Sequence, residues 1–83
     1  MTTKYPIYIV KWLDAIVDVE EREPGKPLKP HPFSTIGYLT HKDKDFVNLA
    51  QDIEEDGSGN FRGVTCIPIG MILSMKRLSS PRK

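Results

Sequence analysis

Apolar and polar positions along this chain fall into short blocks separated by turn-forming residues, and the blocks carry the two-residue period of strands rather than the longer period of helices. Tyr5 to Val17 (YPIYIVKWLDAIV) is rich in β-branched and aromatic residues and reads as a first strand. Its apolar residues occupy both alternating rows, Ile7, Ile9 and Leu13 on one and Tyr8, Val10 and Trp12 on the other, which predicts a strand covered on both faces, one cover being a partner subunit. From Asp18 to Pro32 the sequence changes to DVEEREPGKPLKPHP, with four prolines and many charges, and predicts a long loop. A loop of this size inside so small a domain is a mobile connection, a lid or an interface.

Ser34 to His41 (STIGYLTH) reads as a second strand, joined through the polar turn at Lys42 to Asp45 to a third, Phe46 to Ile53. The turn Glu54 to Asn60 (EEDGSGN) holds two glycines that tolerate positive φ and leads to a fourth strand, Phe61 to Ile67. Proline cannot donate to a ladder, so Ile67 to Gly70 predicts a brief turn before a fifth strand at Met71 to Leu78. Ser79 to Lys83 reads as a flexible basic tail. The expectation is one all-β domain over residues 1–78: a five-stranded antiparallel small barrel of the SH3 or Sm kind, or a strongly bent sheet, with a long proline-rich first loop.

Length makes that core thin. A chain of 83 residues buries little more than half the surface it exposes when unfolded, and domains of this size gain stability from disulfides, a metal or self-association. Cys66 is the single cysteine, which excludes an internal disulfide, and its neighbours Val64, Ile67 and Ile69 predict a buried structural thiol. His31 and His41 lie in no ligand motif, so no metal site is expected. Self-association remains, and a homo-oligomer is expected. Lys and Arg number 12 against 11 Asp and Glu, a balance that gives no overall attraction to nucleic acid or to an anionic membrane. Sequence-specific nucleic-acid binding is therefore not expected. The chain shows neither a secretion signal nor a long apolar run, and it is expected in the cytoplasm.

Candidate chemistry is sparse. Asp52, Glu54, Asp56 and Gly57 resemble the start of a calcium loop, but the position needing a bidentate glutamate is Gly63, and the segment joins strands. Gly57, Gly59 and Gly63 are spaced GxGxxxG, with no GK[ST] and no helix to follow, unlike a phosphate loop. Cys66, Ser34, His31, His41 and Asp14 form no nucleophile signature, and the carboxylates of Asp18, Glu20, Glu21 and Glu23 sit in a solvated loop. No enzyme and no cofactor are expected. Ligand binding has better candidates: Trp12 and Tyr8 offer faces for base stacking, while Lys11 and Arg62, with Lys42 and Lys44, offer cations for phosphates. Trp12 serves equally well as core, and Arg62 as a solvated side chain beside Gly63.

Taken together, IVKWLDA, STIGYLTHKD, DFVNLAQDIEEDG and CIPIGMILSMKRL resemble a group of small bacteriophage and prophage proteins with a W-x-D start, TxGYL and VxLA strands and an IPxGxI ending. Trp12 and Asp14 match the start, Thr35, Gly37, Tyr38 and Leu39 the hairpin, and Ile67, Pro68, Gly70 and Ile72 the ending, while Ile69 stands where a basic residue is common. The resemblance implies a phage protein that acts by stoichiometric binding. Two functions follow as expectations. One is a counter-defence sponge that sequesters a host immune signalling nucleotide, with Trp12 and Tyr8 stacking and Lys11 or Arg62 meeting phosphate. The other is a protein-interaction module that takes a host or phage protein through a strand edge or the proline-rich loop.

Overall fold

The computed structural model describes residues 5–15 and 19–79. Five strands, β1 (Ile7–Asp14), β2 (His31–Lys42), β3 (Phe46–Ile53), β4 (Phe61–Pro68) and β5 (Ile72–Ser79), form one antiparallel sheet in the order β4-β3-β2-β1-β5. A single 3-10 turn, Ile69–Met71, carries the chain from β4 at one edge to β5 at the other. The all-β expectation holds in its bent-sheet form, because the sheet does not close into a barrel: no ladder joins β4 to β5.

Packing shows how far the sheet folds over. Val10 of β1, Val47 and Leu49 of β3 and Ile67 of β4 form the buried cluster, and Ile72 and Met75, at or beside the opposite edge, pack on it with Tyr8, Trp12 and Leu39. Strands separated by two others in the sheet share a core only if the sheet curls. One contact spans the curl: Tyr5, just before β1, meets Phe61 of β4 edge-on with ring centroids 5.8 Å apart. The Ile69 amide, which donates to the Asp45 carbonyl at 2.9 Å, extends the β3–β4 ladder past Phe46 and Pro68.

Strand limits depart from the sequence reading where backbone pairing overrides composition. β1 stops at Asp14, and residues 16–18, which the sequence placed between strand and loop, lie outside the described residues. β2 begins at His31, inside the segment expected to be loop, because Leu13 and Asp14 pair with Pro32 and His31. Pro32 is tolerated there because β3 pairs with β2 only from Tyr38 onward, so the missing N–H faces an open side. Met71 belongs to the 3-10 turn, so β5 starts one residue late. The expected tail lies, from residue 80 onward, outside the described residues.

Turn chemistry follows the sequence more closely. Gly57 and Gly59 take φ of +86° and +79°, a region open to glycine at no steric cost. At the β2–β3 turn the Asp43 carboxylate accepts from the amides of Asp45 (2.7 Å) and Phe46 (2.9 Å) and from His41 Nε2 (2.7 Å). Those donors, the His41 hydrogen bond foremost, hold its pKa down to about 2.

One expectation about burial is corrected. Cys66 is exposed, because it shares the outer row of β4 with Val64 while its neighbour Ile67 turns inward to the core. On β1, Val10 is fully buried and Ile7, Ile9 and Leu13 on the outer row are half-buried within the single chain.

Candidate functional site

The alternation of β1 divides the residues that the sequence grouped as a ligand site. Tyr8 and Trp12 lie on the core row with Val10, whereas Lys11 projects from the opposite face, across from Ser34 of β2 and Ser74 of β5. A base stacked on Trp12 therefore has no phosphate contact from Lys11. Arg62 is three strands further on, on β4, where its Nε donates to the carboxylate of Asp52, its directly opposed neighbour, at 3.0 Å. Both partners are well exposed, so the pair adds little stability and leaves Arg62 oriented along the sheet surface. Lys42 lies nine positions along β2 from Phe33, up to about 30 Å away, and Lys44 pairs with Asp45 in the turn beyond. The cations and the aromatic faces are not brought together.

A different set is. Register places Phe33 opposite Trp12 and His31 opposite Asp14, and residues two apart on a strand share a face. Trp12 and Phe33 lie with ring centroids 5.8 Å apart and planes at 33°, and His31 meets Phe33 at 5.0 Å. The indole Nε1 donates to Thr35 Oγ1 at 2.9 Å, which fixes the ring and satisfies its polar atom. Phe33 remains 44% exposed and His31 is exposed, so the three rings form an aromatic shelf at the end of the sheet where the proline-rich segment joins β2. The sequence reading missed Phe33, which lay between the assigned loop and strand. Continuing the inward row of β2 backwards through Thr35, Phe33 and His31 would have found it.

The second feature is the β4 edge. Beyond the pair Tyr38–Ala50 the strands β2 and β3 part, opening a shallow cleft walled by Thr35, Ile36, Gln51, Val64 and Thr65. Gly63 has φ +70°, and a Cβ there would lie 2.8 Å from Gln51 Cβ, so a side chain at this point in β4 is excluded both by conformation and by space. Phe61, Val64 and, across the cleft, Ile36 are exposed apolar residues. The opposite edge, β5, carries Lys76 and Arg77.

The acidic β3–β4 turn has local employment. Ser58 donates its backbone amide to Asp56 at 2.9 Å, and its hydroxyl and amide together lower the Asp56 pKa. Among the described residues no three His, Cys, Asp or Glu side chains are grouped to hold a metal ion. No helix among them is long and apolar enough to cross a membrane. Fold and surface together define a class: a small, open, strongly bent antiparallel sheet that presents an aromatic shelf and an unguarded strand edge. No family model, curated protein or solved structure matches the chain.

Proposed function

We propose that this chain is a phage-encoded, non-enzymatic binding protein of the host cytoplasm that captures a host or phage protein by adding a strand to its β4 edge. The observation that carries the reading is the chemistry of that edge. Proteins keep free strand edges from pairing with lysines, prolines and inward charges. Within β4 the one charged residue, Arg62, is engaged by Asp52, and Pro68 stands at the strand's end, which leaves Val64 to Ile67 with neither a charge nor a proline. The exposed Phe61 and Val64 supply the apolar contacts that give strand addition its specificity.

The test is affinity capture from host cells with intact protein and with Val64→Lys, which puts a guarding charge on an exposed position of the edge strand. A stoichiometric partner retained by the parent and lost from a folded Val64→Lys chain supports the reading. Retention by both overturns it.

The aromatic shelf favours a second reading, the counter-defence sponge. Trp12 and Phe33 offer base-stacking surface, although the phosphate contacts assigned to Lys11 and Arg62 lie elsewhere. Calorimetry of the intact protein against cyclic di- and trinucleotides and ADP-ribose derivatives tests it, and no heat from any of them rejects it.

A further inference from the structure

The proline-rich segment and the aromatic shelf are the two halves of a recognition pair, and the geometry keeps them apart within one molecule. Lys26 to Pro30 (KPLKP) runs directly into β2 at His31. Pro27 and Pro30 have their own φ fixed, and Lys26 and Lys29, each preceding a proline, are restricted to extended conformations. Four of the five residues are thus held towards the polyproline II helix, a semi-rigid rod of about 15 Å at this length. At its base, Glu23 to Lys26 form a turn in which the Lys26 amide donates to the Glu23 carbonyl at 3.2 Å, with Gly25 at φ +84°.

All five residues of the rod are exposed, Leu28 included. A stiff rod that enters β2 at His31 cannot fold back on Phe33, three positions past its own end, without reversing direction at His31 and Pro32, which are already extended and paired with β1. The shelf of its own molecule is therefore out of reach, and that of another is not. Proline rings packed against aromatic side chains are the general mode by which polyproline segments are bound. Charge fits as well. Lys29 is exposed on the rod, and Asp14, in register with His31, puts a carboxylate at the end of the shelf.

We infer that this protein self-associates by reciprocal arm exchange, the Lys26–Pro30 arm of each copy lying on the Trp12–Phe33 shelf of the other. Both partners contribute the same two surfaces, so the contact closes as a two-fold dimer. It uses other residues than the strand addition at β4, although Thr35, which holds the Trp12 indole, also lines the cleft beside Val64.

Sedimentation of the full chain over a range of concentrations, with Trp12 emission followed in parallel, tests the inference. The parent should form a dimer and shift its Trp12 emission to the blue as it associates. Pro27→Ala/Pro30→Ala, which frees the arm at exposed positions, and Phe33→Ser, which thins the shelf, should each weaken the dimer by about tenfold or more. A mixture of the two variants, in which one arm and one shelf remain intact, should associate more tightly than either alone. A parent that stays monomeric, or a dimer that Pro27→Ala/Pro30→Ala leaves unchanged, overturns the inference. A dimer broken by Val64→Lys but not by the arm variant would instead assign self-association to the strand edge.

Discussion

Gly37 lies against Ala50 so closely that a Cβ on Gly37 would stand 2.9 Å from the Ala50 carbonyl oxygen and 3.2 Å from Leu49 Cβ. This contact falls next to Tyr38–Ala50, the last pair before β2 and β3 part, so it marks the point where the sheet folds over. The obstructing oxygen belongs to the backbone of a buried residue and has no room to yield. Gly37→Ala should destabilise the protein by about 1–3 kcal/mol, the usual cost of overpacking, and urea unfolding monitored by Trp12 fluorescence would measure it. A loss below a few tenths of a kcal/mol would show that the strands can part without cost.

The turn at Asp43 should give stability a defined acid dependence. Its carboxylate is held near pKa 2 when folded, below the 3.8 of an unperturbed aspartate. The folded state therefore binds the proton less readily than the unfolded chain, and stability present above pH 3.8 is lost as pH falls towards 2. Carbon-detected NMR titration should place the Asp43 midpoint near 2, and Asp43→Asn should flatten this part of the stability profile. A midpoint close to 3.8 would refute the hydrogen-bonded turn.

Thr35→Val tests the support beneath the shelf. It keeps the side-chain shape and removes the acceptor of the Trp12 indole N–H. A half-buried donor left without a partner costs about 1 kcal/mol, and the Trp12 side-chain N–H should exchange faster with solvent. Unchanged exchange would mean that water replaces the hydroxyl.

Cys66 provides a direct test of side-chain direction in β4. An exposed thiol should react stoichiometrically with a disulfide reagent in native buffer, at a rate close to that in denaturant. Protection until unfolding would place β4 in the opposite register.

The succession of strands along the chain and most turns were legible in the sequence because their causes are local, whereas the place of β1 between β2 and β5 in the sheet was not. Glycines at Gly57 and Gly59, Pro68 before the short turn and the alternation of β1 each act within a few residues. What was not legible depends on pairing between distant segments. The entry of β2 at His31 follows from its register with Asp14, and the exposure of Cys66 follows from which row of β4 meets Val47 and Leu49. The expected ligand set failed to assemble for a related reason. Lys11 and Trp12 are adjacent in sequence, and adjacency on a strand puts side chains on opposite faces. Phe33, distant in sequence from Trp12, is its neighbour in space.

β1 is the strand on which two halves of the protein converge, pairing with β2 on one side and β5 on the other. Its second ladder, in which Tyr8 faces Arg77 and Val10 faces Met75, joins segments from opposite ends of the described chain. A growing polypeptide can complete the β1–β4 meander early, yet Val10 keeps one flank open until Met75 has left the ribosome. Synthesis thus imposes a waiting period on the core, during which β1 itself is a bare edge, and β5 is the element that ends that exposure.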